Sequence, residues 1–157
     1  LFRTEDAATE FPVEEHHWVV AAEKSDSLGV DIISSSLGYT TFDNSAFNYT
    51  YSDMDGRTTM ITNGADMAMK KGMIVCNSAG NAGTSSWKYI VAPADGDSVF
   101  SIGAVNASGI PANFSSYGPS SDGRVKPNVA SVGWEDMSTD SHELIYHMRL
   151  LHTTPLT

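Results

Sequence analysis

Met73-Ile74-Val75-Cys76-Asn77-Ser78-Ala79-Gly80-Asn81 is the stretch from which the rest of the chain can be read. Its first half is a short apolar run, the composition of a strand buried on both faces of a parallel sheet. Its second half consists of small and polar residues. Small side chains at a strand end let another backbone approach closely. An asparagine at such a place can donate its side-chain amide to an oxygen that becomes negative in a transition state. Taken by itself the segment also reads as a plain turn, because Asn and Gly are turn residues. A phosphate loop is a third reading, since Gly80 and Gly83 follow a strand. Such a loop opens directly into a helix, and Thr84-Ser85-Ser86-Trp87-Lys88-Tyr89 lacks helical periodicity.

Upstream, residues 12–29 carry Trp18, Ala21, Ala22, Ser25 and Leu28 at helical spacing. Pro12 suits a first turn, Glu14 and Glu15 favour the positive end of the helix, and Gly29 suits its end. Val30 to Ser36 then reads as a strand. Residues 38–56 form a long polar loop, and loops of this length in compact domains are often functional. A second helix is expected over Thr58 to Lys71, with Ile61, Gly64, Ala65 and Ala68 along its stripe. Asp55 reads as its N-cap; Asp53-Met54-Asp55-Gly56 lacks the remaining oxygen ligands of a calcium loop. Downstream, Val99 to Val105 reads as another strand and Phe114 to Tyr117 as an edge piece. Strand, helix, strand, helix, strand is the order of an α/β fold with a parallel sheet flanked by helices. In such sheets function gathers at the carboxyl ends of the strands. That rule selects Ser36-Leu37-Gly38 and Ser78-Ala79-Gly80-Asn81.

The whole chain has 157 residues, 41% hydrophobic and 18% charged, which is one ordinary globular domain. Its formal net charge of −10 argues against nucleic acid and anionic membranes as partners. No apolar run approaches the ~20 residues of a membrane span. The single cysteine, Cys76, sits in an apolar run and reads as a small core thiol. His16 and His17 read as a solvated pair on the first helix. His142, His147 and His152 recur every fifth residue, which does not stack ligands on one helix face. No metal and no cofactor is expected. Asn48-Tyr49-Thr50, Asn106-Ala107-Ser108 and Asn113-Phe114-Ser115 match glycosylation acceptors, a frequent chance pattern. The start at Leu1 in place of Met reads as a cut within a longer sequence.

Five segments occur in a telling order: Ser35-Ser36-Leu37-Gly38; Ser78-Ala79-Gly80-Asn81; Val99 to Val105; Phe114-Ser115-Ser116-Tyr117-Gly118-Pro119; and Lys126-Pro127-Asn128-Val129. The ordered set resembles the subtilisin-like serine peptidases, the subtilase family. The resemblance covers residues 1–133, the central part of a subtilase catalytic domain, and leaves 134–157 as a tail without it. It implies a subtilisin-like but incomplete fold, a peptide or protein substrate, and a secreted or cell-envelope location. Asn81 matches the family's oxyanion-hole asparagine. Ser36, Leu37 and Gly38 match the strand that pairs with substrate and forms one wall of the S1 pocket; Ser78, Ala79 and Gly80 match the opposite wall. The resemblance also implies a cis bond between Ala92 and Pro93. Tyr39 replaces a glycine common among relatives, and its ring either narrows the cleft or leans out to solvent. The motifs of the Asp, His and Ser triad are missing: they belong upstream and downstream of the matched part, and no Gly-Thr-Ser follows the Lys126-Pro127 region, where the family carries its serine; Gly83-Thr84-Ser85 lies on the Asn81 segment instead. The implied function is therefore a fragment of a serine endopeptidase, inactive by itself. The alternative is a non-catalytic peptide-binding module with the same fold.

Overall fold

Helix α1 (Val13–Ser27) begins on Pro12, whose φ of −57° already suits a first turn. It ends where Gly29 takes a φ of +73°, a conformation that costs glycine little. The computed structural model describes residues 1–134 and, in backbone only, two further strands. After α1 come β1 (Ile32–Ser35), α2 (Met60–Lys70), β2 (Ile74–Ser78), β3 (Phe100–Val105) and β4 (Val129–Val132). The two further strands, β5 (Asp136–Thr139) and β6 (Leu144–His147), pair antiparallel with each other. The side chains of His142, His147 and His152 lie outside the described residues.

The main sheet runs β1-β2-β3-β4, and every adjacent pair is parallel. Ile32 stands opposite Ile74 and Ser35 opposite Asn77; Ser78 stands opposite Ile102. The expected parallel neighbours are therefore present. The strand β4, read in the sequence only as part of a motif, completes the edge. Phe114 to Tyr117 adds no strand and makes an isolated bridge between Tyr117 and Tyr89.

Both helices pack on one face of the sheet. Trp18, Ala22, Ile61, Ala65, Ala68, Met73 and Val75 form the shared core with Tyr39, Phe42 and Met54 from the long loop. Burying each large apolar side chain contributes about 1.5–3 kcal/mol. The helices approach closely at Gly64, where an added Cβ would sit 2.7 Å from a methyl of Val19. Leu28, expected on the stripe of α1, lies beyond the helix end and is exposed.

The strand β2 is not buried on both faces as its apolar run suggests. Val75 is fully buried beneath the helices, whereas Ile74 on the other face is exposed, as are Ile32, Phe100 and Val129. The link from β2 to β3 contains no helix, and no described element covers that face. For the same reason Cys76 is half-buried and does not belong to the core. The helix α2 is capped by the Thr59 hydroxyl, which accepts from Thr62 N–H. Asp55 instead accepts from Arg57 and Thr58 N–H and closes the turn before it.

Candidate functional site

Ser36, Leu37 and Gly38 follow the end of β1, and Ala79, Gly80 and Asn81 follow Ser78 at the end of β2. Parallel pairing in register puts both segments at the same, carboxyl end of the sheet. A cavity of about 180 Å³ opens there, bordered among others by Ser36, Asn77, Ser78, Gly103 and Gly133.

The Asn81 loop is clamped from below by residues 114–116. Ser116 N–H donates to Gly80 O at 2.9 Å, and Ala82 N–H donates to the Ser116 hydroxyl at 3.0 Å. Gly83 N–H donates to Phe114 O at 2.9 Å. Gly80 holds a φ of +107°, open to glycine and strained for other residues. Gly83 lies against backbone: a Cβ there would sit 2.7 Å from Asn113 O and collide with Ser115 O. The small residues of this segment thus permit close approach of a second backbone, as their composition suggests. Asn81 itself is half-buried on this loop.

Two features of the site escaped the sequence. The first is Asn77, fully buried, whose side chain joins the two segments. Its Nδ2 donates to Leu37 O at 3.0 Å and to Ser78 O at 2.9 Å, and its Oδ1 accepts from the Ser35 hydroxyl at 2.6 Å. The second is a strap made by residues 91–92. Val91 N–H donates to Ala79 O at 3.3 Å, and Ala92 O accepts from Tyr39 N–H at 2.9 Å. The strap therefore touches both segments. The bond between Ala92 and Pro93 is cis, as expected.

Tyr39 follows neither of its two expected courses. Its ring turns inward, stacks on Phe42 with centroids 6.0 Å apart, and is 1% exposed. Its hydroxyl donates to Glu5 Oε1 at 2.6 Å. Burial first, and the Glu5 carboxylate next, raise the Tyr39 hydroxyl pKa far above its ordinary value. A phenol so placed stays protonated and acts as a structural donor.

Charged groups are buried under the long loop and the strap. Asp95 accepts from Gly56 N–H at 2.8 Å and from the Thr62 hydroxyl at 2.7 Å, and burial raises its carboxyl pKa. Burial likewise raises the pKa of Glu15, which accepts from the Tyr49 hydroxyl at 2.8 Å. Lys126 donates to Gly96 O and Val99 O at 2.6 and 2.9 Å, and burial lowers its pKa to about 8. Asp95 thus joins the segment after the strap to α2, and Lys126 joins it to the residues before β4, while Glu15 joins α1 to the long loop. Among the described residues the carboxylates of Glu5, Glu10 and Glu14 come within 4.8 Å of one another. Glu14 accepts there from Asp6 and Phe11 N–H, and Glu5 from Tyr39, so these two brace the N-terminal turn. His16 and His17 are exposed.

A model of the subtilase family matches residues 13–153. Among solved structures, the chain is similar to the PatG macrocyclase in complex with peptide, at 16% identity and a TM-score of 0.64. That match covers 87% of this chain and 37% of the other. It is also similar to the prenylagaramide maturation protease PagA, at 18% identity and a TM-score of 0.61, covering 82% of this chain and 40% of that one. A third is the patellamide maturation protease PatA, at 19% identity and a TM-score of 0.61, covering 80% and 40%. The chain thus spans about two fifths of the length of these structures. At such identities the likeness is one of fold. No described helix is long and apolar enough to cross a membrane.

Proposed function

This chain belongs to the subtilase family, and from that premise we propose that it supplies the substrate cleft and the oxyanion donor of a serine endopeptidase. The observation that carries the reading is the placement of Asn81. It stands on a clamped loop at the carboxyl end of β2, beside the end of β1. Substrate lies as an added strand along Ser36-Leu37-Gly38 on one side and Ser78-Ala79-Gly80 on the other. Main-chain bonds give affinity and the pocket between the walls gives choice. As the serine attacks, the carbonyl oxygen gains charge and the Asn81 amide donates to it.

The nucleophile, base and orienting carboxylate are not among the matched motifs of these 157 residues, so the chain by itself binds without cutting. Residues 1–133 form this part of the catalytic domain. The PatG macrocyclase, similar in fold, holds a peptide, which favours a peptide ligand here too.

The test is Asn81→Ala in the complete enzyme that carries this segment. The amide's bond forms fully only in the transition state, so kcat is expected to fall much more than KM rises. The size of the fall, about 10²–10³-fold, is carried over from subtilisin itself. An unchanged kcat with a large rise in KM reassigns Asn81 to ground-state binding. Turnover of peptides by the purified chain alone, surviving contaminant controls, overturns the reading of a missing triad.

A further inference from the structure

We propose that Val91 fills the floor of the slot between the two walls and restricts the enzyme to small side chains at P1, the residue whose carbonyl is attacked. The inference rests on the reading of Ser36–Gly38 and Ser78–Gly80 as the two sides of that pocket.

The strap carrying Val91 is bonded to one wall, to Ala79 O by its own N–H, and beside the other, to the N–H of Tyr39 next to Gly38 through Ala92 O. Its isopropyl group points into the space that the two wall glycines leave open. A Cβ added at Gly80 would lie 3.0 and 3.2 Å from the two Val91 methyl carbons. A Cβ added at Gly38 would overlap one of the same methyls. One side chain thus lies in contact range of both wall glycines at once, which places it between them. It is 7% exposed and has little room to swing away.

A substrate strand lying between the walls directs its P1 side chain into this slot. With the depth taken by Val91, the space accepts Gly, Ala or Ser. A Phe, Tyr or Leu side chain meets the Val91 methyls. The neighbours cannot give way easily, because Ile90, Ala92 and Ala94 around it are themselves fully buried. Packing at this density makes even one methylene felt.

The measurement is kcat/KM of the complete enzyme on peptide pairs that differ only at P1, Ala against Phe. The expected preference for Ala is about 10- to 100-fold, the range that small differences in a packed pocket produce. Val91→Gly is expected to raise the Phe-to-Ala ratio at least about tenfold, and Val91→Ala by an intermediate factor. The second variant serves if the first fails to fold. Equal cleavage after Phe and Ala by the unaltered enzyme overturns the proposal, as does a ratio unmoved by both variants. An enzyme with an intact triad that cuts no peptide at all defeats the protease reading itself, and this inference falls with it.

Discussion

The Ser35 hydroxyl donates to Asn77 Oδ1 at 2.6 Å, and through the same side chain the carboxyl ends of β1 and β2 are pinned together. Both residues lie on the helix-facing side of the sheet, directly opposite each other in the register. Asn77 uses both amide hydrogens, one on Leu37 O and one on Ser78 O. It is therefore a positioning residue for Leu37.

Replacing Asn77 by Ala leaves the Ser35 hydroxyl and Leu37 O, both half-buried, without this partner. The expected loss of stability is about 1–3 kcal/mol. Leu37 lies on a wall that we assign to substrate binding, so in the complete enzyme KM should rise several-fold. Asn77→Asp keeps the acceptor and loses the donor, and should show the KM effect without relieving it. Urea midpoints and steady-state kinetics on both variants check this. An Asn77→Ala enzyme with the parent's KM makes Asn77 a matter of stability alone.

Glu15 is 1% exposed, and its Oε1 has no hydrogen-bond partner among the described residues. Burial, with a smaller contribution from Asp95, raises its pKa above the ordinary 4.5. The folded state thus holds the proton more tightly than the unfolded state. Stability from this group is fully present below the unfolded pKa and is lost as pH rises through the folded one. Glu15→Gln removes the titration. It should be more stable than the parent near pH 7, with the difference shrinking toward pH 4. Denaturation midpoints across that range measure it, and a difference independent of pH would rule the titration out.

Lys126 has the opposite sign. Its folded pKa of about 8 lies below the ordinary 10.5, because burial disfavours the ammonium. The folded state binds the proton less tightly, so stability rises with pH between these values and the cost is complete below pH 8. The limiting slope is about 1.4 kcal/mol per pH unit. Lys126→Met should flatten the slope. It should also lower stability, since Gly96 O and Val99 O lose their donor. Equal slopes in the two proteins would assign the pH dependence to other groups.

The sequence alone determined the alternation of helices and strands, the parallel sheet, and the strand end that carries Asn81. These follow from local signals: apolar periodicity, glycine at helix ends, and small residues where backbones crowd. Even the resemblance to a family was carried by short ordered segments. Tertiary structure decided what depends on residues far apart in the chain. Ser35 and Asn77 are separated by 42 positions, and Tyr39 and Glu5 by 34. Neither pair leaves a periodic trace. Tyr39 turned inward because Glu5 and Phe42 offered its hydroxyl and ring partners that solvent does not match together. Val75 was buried and Ile74 was not, since a run of apolar residues cannot tell which face of its sheet will receive the helices. Val91, an unremarked valine in the linear sequence, came to lie between Gly38 and Gly80 only when the strap was drawn across both strand ends.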